Sequence, residues 1–244
     1  MTQNFSIKVR DLSKRFGKTC ALNSISADID SGQITALLGP NGSGKTTFLR
    51  IISGMLDGYT GSISISGYSS SDYPSLMKRI AGYVPDVPAL YDSLTPMEMF
   101  RFIGSIRGIE EREFRERVGN LCSSLGIGPY LEKFIGELSF GTRQKISIIS
   151  ALIHDPGILI MDESLNGLDP KSIDVVKEIL HGMVKDGRTV ILATHSLELA
   201  EELCGNMLVL REGRLAGQAR IYERHGNYDE TAMLREKYIG MTTG

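Results

Sequence analysis

Gly39-Pro-Asn-Gly-Ser-Gly-Lys-Thr46 follows the apolar run Ile34-Thr-Ala-Leu-Leu38 and precedes a helix-like stretch to Ser53, with Gly54 placed as its stop. The segment satisfies the pattern GxxxxGK[ST] throughout, in the strand-then-helix context that gives the pattern its meaning. Glycines let the backbone fold around phosphate oxygens with N–H groups turned inward, where side chains would obstruct. A helix starting near Gly44 aims the positive end of its dipole at the anion. Lys45 is then placed to reach the β- and γ-phosphates, Thr46 to ligate Mg²⁺ through its hydroxyl, and Thr47 adds a hydroxyl nearby. Gly39, Pro40, Asn41, Gly42, Ser43, Gly44, Lys45, Thr46 and Thr47 are therefore expected to hold a nucleoside triphosphate.

Such a ligand needs a second metal anchor and a group that activates water. Ile158-Leu-Ile-Met-Asp162-Glu163 supplies an apolar strand ending in two carboxylates. In an open α/β sheet, ligands bind beyond the carboxyl ends of the strands, where this strand and the glycine loop both finish. Asp162 is the expected Mg²⁺ partner and Glu163 the expected general base. A positioned base is typically worth about 10²–10⁴ in rate.

The rest of the chain alternates. Ser6–Asp11, Ile25–Ile29 and residues 61–67 (GSISISG) read as strands, and Val84-Pro-Asp-Val-Pro88 as a loop. Helices are expected from Thr95-Pro96, over Glu110–Leu125 and over Thr142–Ile153. The mixed-sign run EEREFRER reads as a solvated helix face. Beyond the carboxylate strand come a helix over Pro170–Lys185, a strand over Thr189–Ala193, a helix over Leu197–Leu203 and a strand pair over Met207–Leu215. Strands alternating with helices imply an α/β fold with a mainly parallel sheet.

Composition narrows the function. The 244 residues are 41% apolar and 23% charged, ordinary globular usage, with a net charge of −2. That balance gives no support to nucleic-acid binding, which usually brings a basic surplus. Cys20, Cys122 and Cys204 show no CxxC spacing and read as reduced thiols and small buried hydrophobes. The N-terminus does not read as a signal peptide, and nowhere do about 18 apolar residues run together, so a soluble protein is expected.

Further motifs stand in order. Leu138-Ser-Phe-Gly-Thr142 looks like LSGGQ, Asn166-Gly-Leu-Asp169 like a D-loop, and Thr194-His195-Ser196 like a switch-histidine loop. Together with the glycine loop and the carboxylate strand, over roughly residues 5–215, they make the chain resemble the ATP-binding cassette (ABC) family. The likeness is to the detached ATP-binding subunit of a membrane transporter.

The resemblance implies a P-loop NTPase core with an N-terminal antiparallel β-subdomain (1–86 and 136–220) and an inserted α-helical subdomain (87–135); beyond it the charged, aperiodic stretch 221–244 reads as a C-terminal tail or helix, the helix over Thr231–Tyr238. The resemblance also implies ATP and Mg²⁺ as ligands, and two subunits, identical or different, sandwiching two ATP molecules. Phe16 would stack on adenine. Ser139 and the Gly141 backbone would contact the γ-phosphate held by the partner, and Asp169 would link the two sites. His195 would hold the γ-phosphate and water. The inserted helices, with Leu90, Tyr91, Leu94, Met97, Met99, Phe100 and Phe102 near their start, would serve core packing and dock a separate transmembrane permease. The subunit would then sit peripherally on the cytoplasmic face of the membrane.

Several positions depart from the family pattern. Asp86 stands where glutamine is usual, as in the exporter-like branch, and could ligate Mg²⁺ or orient water while repelling phosphate. Phe140 replaces a glycine, Thr142 a glutamine and Ser164 a proline. Two other readings stay open. One is a soluble ATPase of the family without a membrane partner, as in iron–sulfur cluster assembly, which Asp86 fits less well. The other is a regulatory cassette that binds ATP but hardly turns it over, consistent with Asp86 and Phe140.

Overall fold

The computed structural model describes residues 4–220 and residue 240. The expected helix over Thr231–Tyr238 lies outside the described residues. The strand that leads into the glycine loop, β3 (Ile34–Leu38), is wholly buried inside a six-stranded sheet. Around it stand β6 (Ala81–Val84), β7 (Ile158–Asp162), β8 (Thr189–Thr194), β9 (Asn206–Arg211) and β10 (Arg214–Arg220), in the order β10-β9-β3-β8-β7-β6. All neighbours are parallel except β9 and β10. Those two close a hairpin through Glu212 and Gly213, whose φ values of 49° and 73° suit a turn with both central residues left-handed.

A second, antiparallel sheet has the order β2-β1-β4-β5, from β1 (Ile7–Phe16), β2 (Thr19–Ile29), β4 (Thr60–Ile65) and β5 (Tyr68–Ser69). β1 and β2 run longer than the alternation predicts. Their register shifts between Val9 and Leu12 and again between Leu12 and Lys14, and such bulges break the period of two on which the reading relied.

Strand residues divide between two cores. Leu37, Ile158, Ile160, Ile191 and Leu208 face the antiparallel sheet and α1 (Lys45–Ile52), where Phe48, Leu49 and Ile52 are buried. Ala36, Leu38, Leu159, Met161, Val190 and Leu192 face the other way. There they meet α3 (Pro96–Arg107), α4 (Glu111–Ser124), α5 (Phe140–Leu152), α6 (Pro170–Lys185) and α7 (Leu197–Leu203). Both faces of the sheet are covered, which is why these strands are apolar throughout. Each large side chain buried there stabilises by roughly 1.5–3 kcal/mol.

α3 starts at Pro96 behind a Thr95–Glu98 capping box, and α4 carries the Glu111–Arg115 and Glu113–Arg117 pairs. α5 begins two residues before the predicted Thr142, because Ser139 caps it by accepting from Thr142 N. α2 (Pro74–Ile80) has no counterpart in the sequence reading. Met99 and Phe100 are core residues, whereas Tyr91 and Phe102 stay exposed as an edge-to-face pair 6.2 Å apart. Of the cysteines, Cys122 and Cys204 are buried and their thiols pushed up to about 11 and about 12 by burial. Cys20 is exposed, contrary to expectation, on a strand end beside the glycine loop.

Register places the functional loops. Leu38 pairs with Thr194, Ala193 with Asp162, and Met161 with Val84. The chain therefore leaves the parallel strands along one edge at four points: into the glycine loop, and toward His195, Glu163 and Asp86.

Where α5 ends, His154 hydrogen-bonds the Ala81 carbonyl through Nε2 at 3.1 Å while its Nδ1 is buried without a partner. Burial, with the Arg107 charge adding to it, pushes its pKa down from 6.5 to about 4. The unfolded chain takes up this proton near pH 6.5 and the folded chain only near 4, so stability falls as pH drops through that window. Chemical denaturation should show a smaller acid loss over the window for His154→Gln than for the wild type.

Candidate functional site

The glycine loop is a close-packed cradle. Gly39, Gly42 and Gly44 have φ values of 157°, 78° and 104°. A Cβ at Gly39 would lie 2.4 Å from the Leu210 carbonyl, and one at Gly44 would lie 2.7 Å from the Ala21 carbonyl. The β9–β10 turn holds the loop from behind, with Gly213 N donating to Ser43 O at 3.0 Å. Ser43 Oγ is buried without a partner, an orphan polar atom in a loop suited to phosphate.

Lys45 is buried at the start of α1. Its Nζ donates to the Gly39 and Pro40 carbonyls at 2.7 and 3.3 Å and lies 3.5 Å from Glu163 Oε1. The cleft of about 300 Å³ takes in Pro40 through Thr47, Asp86, Asp162 and Glu163, with Thr19, Cys20 and Ala21 on its flank.

β7 delivers Asp162, 2% exposed, into this cleft. The Tyr83 hydroxyl donates to Asp162 Oδ2 at 3.1 Å. Burial and the Asp162 charge hold the phenol well above its usual range, so it remains a donor. The next residue turns sharply: Glu163 has φ 52°, and its N–H is held by the Ala193 carbonyl at 3.0 Å. That turn sends its carboxylate between Lys45 and His195. His195 Nδ1 lies 2.8 Å from Oε2, on the side opposite the Lys45 contact to Oε1.

Three carboxylates thus face one ammonium across the cleft. Asp86, at the exposed mouth, has its pKa raised by partial burial and by the negative charges of Asp162 and Glu163. Among the described residues, no group of three or more His, Cys, Asp and Glu side chains is arranged to hold a metal ion. Mg²⁺ keeps few protein ligands and shares phosphate oxygens, so Thr46 and Asp162 suit it.

The other predicted residues lie outside the lining of this cleft. Phe16 is 48% exposed, with Lys14 Nζ 5.1 Å from its ring centroid. Ser139 caps α5, its Oγ 3.4 Å from Thr142 N. Gly141 lies against the Gly167 carbonyl, which a Cβ would approach to 2.7 Å. Asp169 caps α6 by accepting from Ser172 N at 3.0 Å, and pairs with Lys145 at 2.9 Å. The hydrogen bonds from Ser172, then Lys145, hold this carboxyl far below the usual range.

Two residues near the site were not foreseen. Tyr83 fixes Asp162, and the fully buried Gln144 donates to the carbonyls of Pro85 and Ser164 at 3.3 and 2.8 Å. A lone amide within the apolar face of α5 is the sequence signal that could have found the second.

Comparison with known proteins agrees with this geometry. A family model described as ABC transporter matches residues 22–166. An uncharacterized ABC transporter ATP-binding protein of Methanocaldococcus jannaschii is 35% identical over 88% of this chain and 78% of its own length. The Nod factor export ATP-binding protein I of a Rhizobium species is 34% identical over 96% of this chain and 81% of its own. A solved structure of an ATP-binding subunit of an ABC transporter superposes with a TM-score of 0.85 at 30% identity, over 97% of this chain and 99% of that one. With its glycine cradle, its Asp162–Glu163 strand end and a family model spanning more than half its length, the chain belongs to the ABC transporter family as an ATP-binding, ATP-hydrolysing subunit.

Proposed function

We propose that this subunit works as one half of a nucleotide-sandwich dimer, homodimeric or heterodimeric, that drives a separate transmembrane permease in export. The supporting observation is a division of labour within the chain. Lys45, Asp162 and Glu163 share one cleft, while Ser139 opens α5 outside that cleft's lining. A helix start favours negative charge, so Ser139 and the Gly141 N–H are suited to a γ-phosphate held by another molecule.

Within the cleft, Lys45 neutralises phosphate charge and the glycine-loop N–H groups orient it. Mg²⁺, held by Thr46 and Asp162 with Asp86 as a further ligand, would offset the repulsion between the triphosphate and the carboxylates. Glu163 accepts the proton of the attacking water. His195 fixes the Glu163 carboxylate through Nδ1 and would meet the γ-phosphate with its other face. Asp169 would link the two sites, and Phe16 would stack on adenine. Loss of the bridging charge on hydrolysis opens the dimer.

The division into a core (1–86 and 136–220) and an inserted helical unit (87–135) gives the permease a seat. A groove of about 680 Å³ between them is lined by Leu90, Met99, Ile103 and Ile106, together with Arg50 and Lys78. An amphipathic helix of the permease with acidic residues suits that lining. No helix among the described residues is long and apolar enough to cross a membrane, so such a permease would anchor the subunit at the cytoplasmic face. Export is favoured by Asp86, which follows the exporter-like pattern, and by the likeness to the Nod factor export relative.

In light scattering, Glu163→Gln with MgATP should form a stable dimer, its turnover falling about 10²–10⁴-fold. Monomers at saturating ATP, or wild-type turnover, would contradict the reading. Asp86→Gln should retain or raise steady-state hydrolysis, because it removes a charge that repels phosphate. Complete loss of hydrolysis would give that carboxylate an essential role of its own.

A further inference from the structure

Four residues on one face of the first two turns of α5 fasten it to the segment that carries Glu163. Positions 140, 141, 144 and 145 share that face by helical spacing. The Phe140 ring lies on Gly167, where a Cβ would come within 2.7 Å of its Cδ1 and Cε1. A Cβ on Gly141 would come within 2.7 Å of the Gly167 carbonyl. Lys145 Nζ pairs with Asp169 at 2.9 Å. Between these contacts, Gln144 Nε2 donates to Ser164 O, one residue past Glu163, at 2.8 Å.

The same amide reaches a second loop. Its Nε2 lies 3.3 Å from the carbonyl of Pro85, the residue before Asp86. Both neighbours are acceptors, so the nitrogen must face them, and Oε1 is left buried without a partner. The side chain is 0% exposed. Burying an amide with an orphan acceptor is unfavourable where an apolar side chain of equal length would pack without that cost. Packing alone is therefore a poor account of a glutamine here. Holding two loop carbonyls together is a better one.

We propose that Gln144 is a positioning residue that couples the partner-facing start of α5 to the hydrolytic loops of its own chain. Engagement of Ser139 by a second molecule's nucleotide shifts α5, and Gln144 carries the shift to Ser164 and Pro85, setting Glu163 and Asp86 for attack. The proposal rests on the sandwich reading and extends it. One site's occupancy governs the geometry of the other, so the two ATP sites of a dimer fire in concert.

The test measures ATPase kinetics, MgATP affinity and thermal midpoint for Gln144→Met, Ser139→Ala and the double variant. Displacing a reacting group by about 1 Å costs roughly a hundredfold. Gln144→Met should accordingly lose about ten- to a hundredfold in kcat, with KM and MgATP affinity within about twofold of wild type. Its dependence on ATP concentration should lose cooperativity, and the double variant should be no slower than the slower single one. Wild-type turnover, or losses that multiply in the double variant, would overturn the coupling.

If Gln144→Met does not fold, Gln144→Glu provides the readout. Its ionised carboxylate repels both carbonyls, while its protonated form restores one donor. Turnover relative to wild type should then climb between about pH 8.5 and about pH 6.5, since burial raises such a pKa. A flat ratio would overturn the proposal. A Glu163→Gln control separates the two claims: no ATP-driven dimer there sinks the sandwich reading and this coupling with it. Dimers alongside an unaffected Gln144→Met sink the coupling alone.

Discussion

The structure turns on how closely backbone approaches backbone around the glycine loop. Gly39 sits against the Leu210 carbonyl and Gly44 against the Ala21 carbonyl at distances that no side chain tolerates. That contact draws the β9–β10 hairpin, the antiparallel sheet and the start of α1 together at one point. It leaves a buried Lys45 at a helix N-terminus, an environment that favours an anion. The two cores serve this arrangement, since β3 is held on both faces and cannot shift its last residue relative to α1.

Charge is the second constraint. The cleft places Asp86, Asp162 and Glu163 around Lys45. By itself that set repels a triphosphate, a repulsion that the loop dipoles and, on the proposed reading, Mg²⁺ would offset. The same crowding fixes the carboxylate proposed as the base. Glu163 is held from one side by His195 and from the other by Lys45, in a turn with a left-handed backbone, so its carboxylate is oriented before a nucleotide arrives. Asp162 is kept in place by the Tyr83 hydroxyl.

What the sequence disclosed was local chemistry. GxxxxGK[ST] between a strand and a helix, and an apolar strand ending in Asp-Glu, were readable because each is contiguous and each residue type follows from a physical demand. The α/β architecture was readable from strand–helix alternation. α2 was not, since it is short and only Met77 among its residues is buried, leaving no apolar period to detect. The full lengths of β1 and β2 were hidden by bulges. Tyr83 and Asp162 meet across 79 residues, and Gln144 reaches Pro85 across 59, separations at which pattern says nothing. Phe16 lies outside the lining of the phosphate cleft, and its proposed stacking rests on resemblance alone.

On the reading proposed above, a buried ammonium and a glycine-built helix start hold the triphosphate. Calorimetric titration with MgATP of the wild type and of Lys45→Ala puts this grip to the test. Saturable one-to-one binding is expected for the wild-type chain and none measurable for the variant, with both chains melting as folded proteins. Equal nucleotide affinity in the two would contradict it.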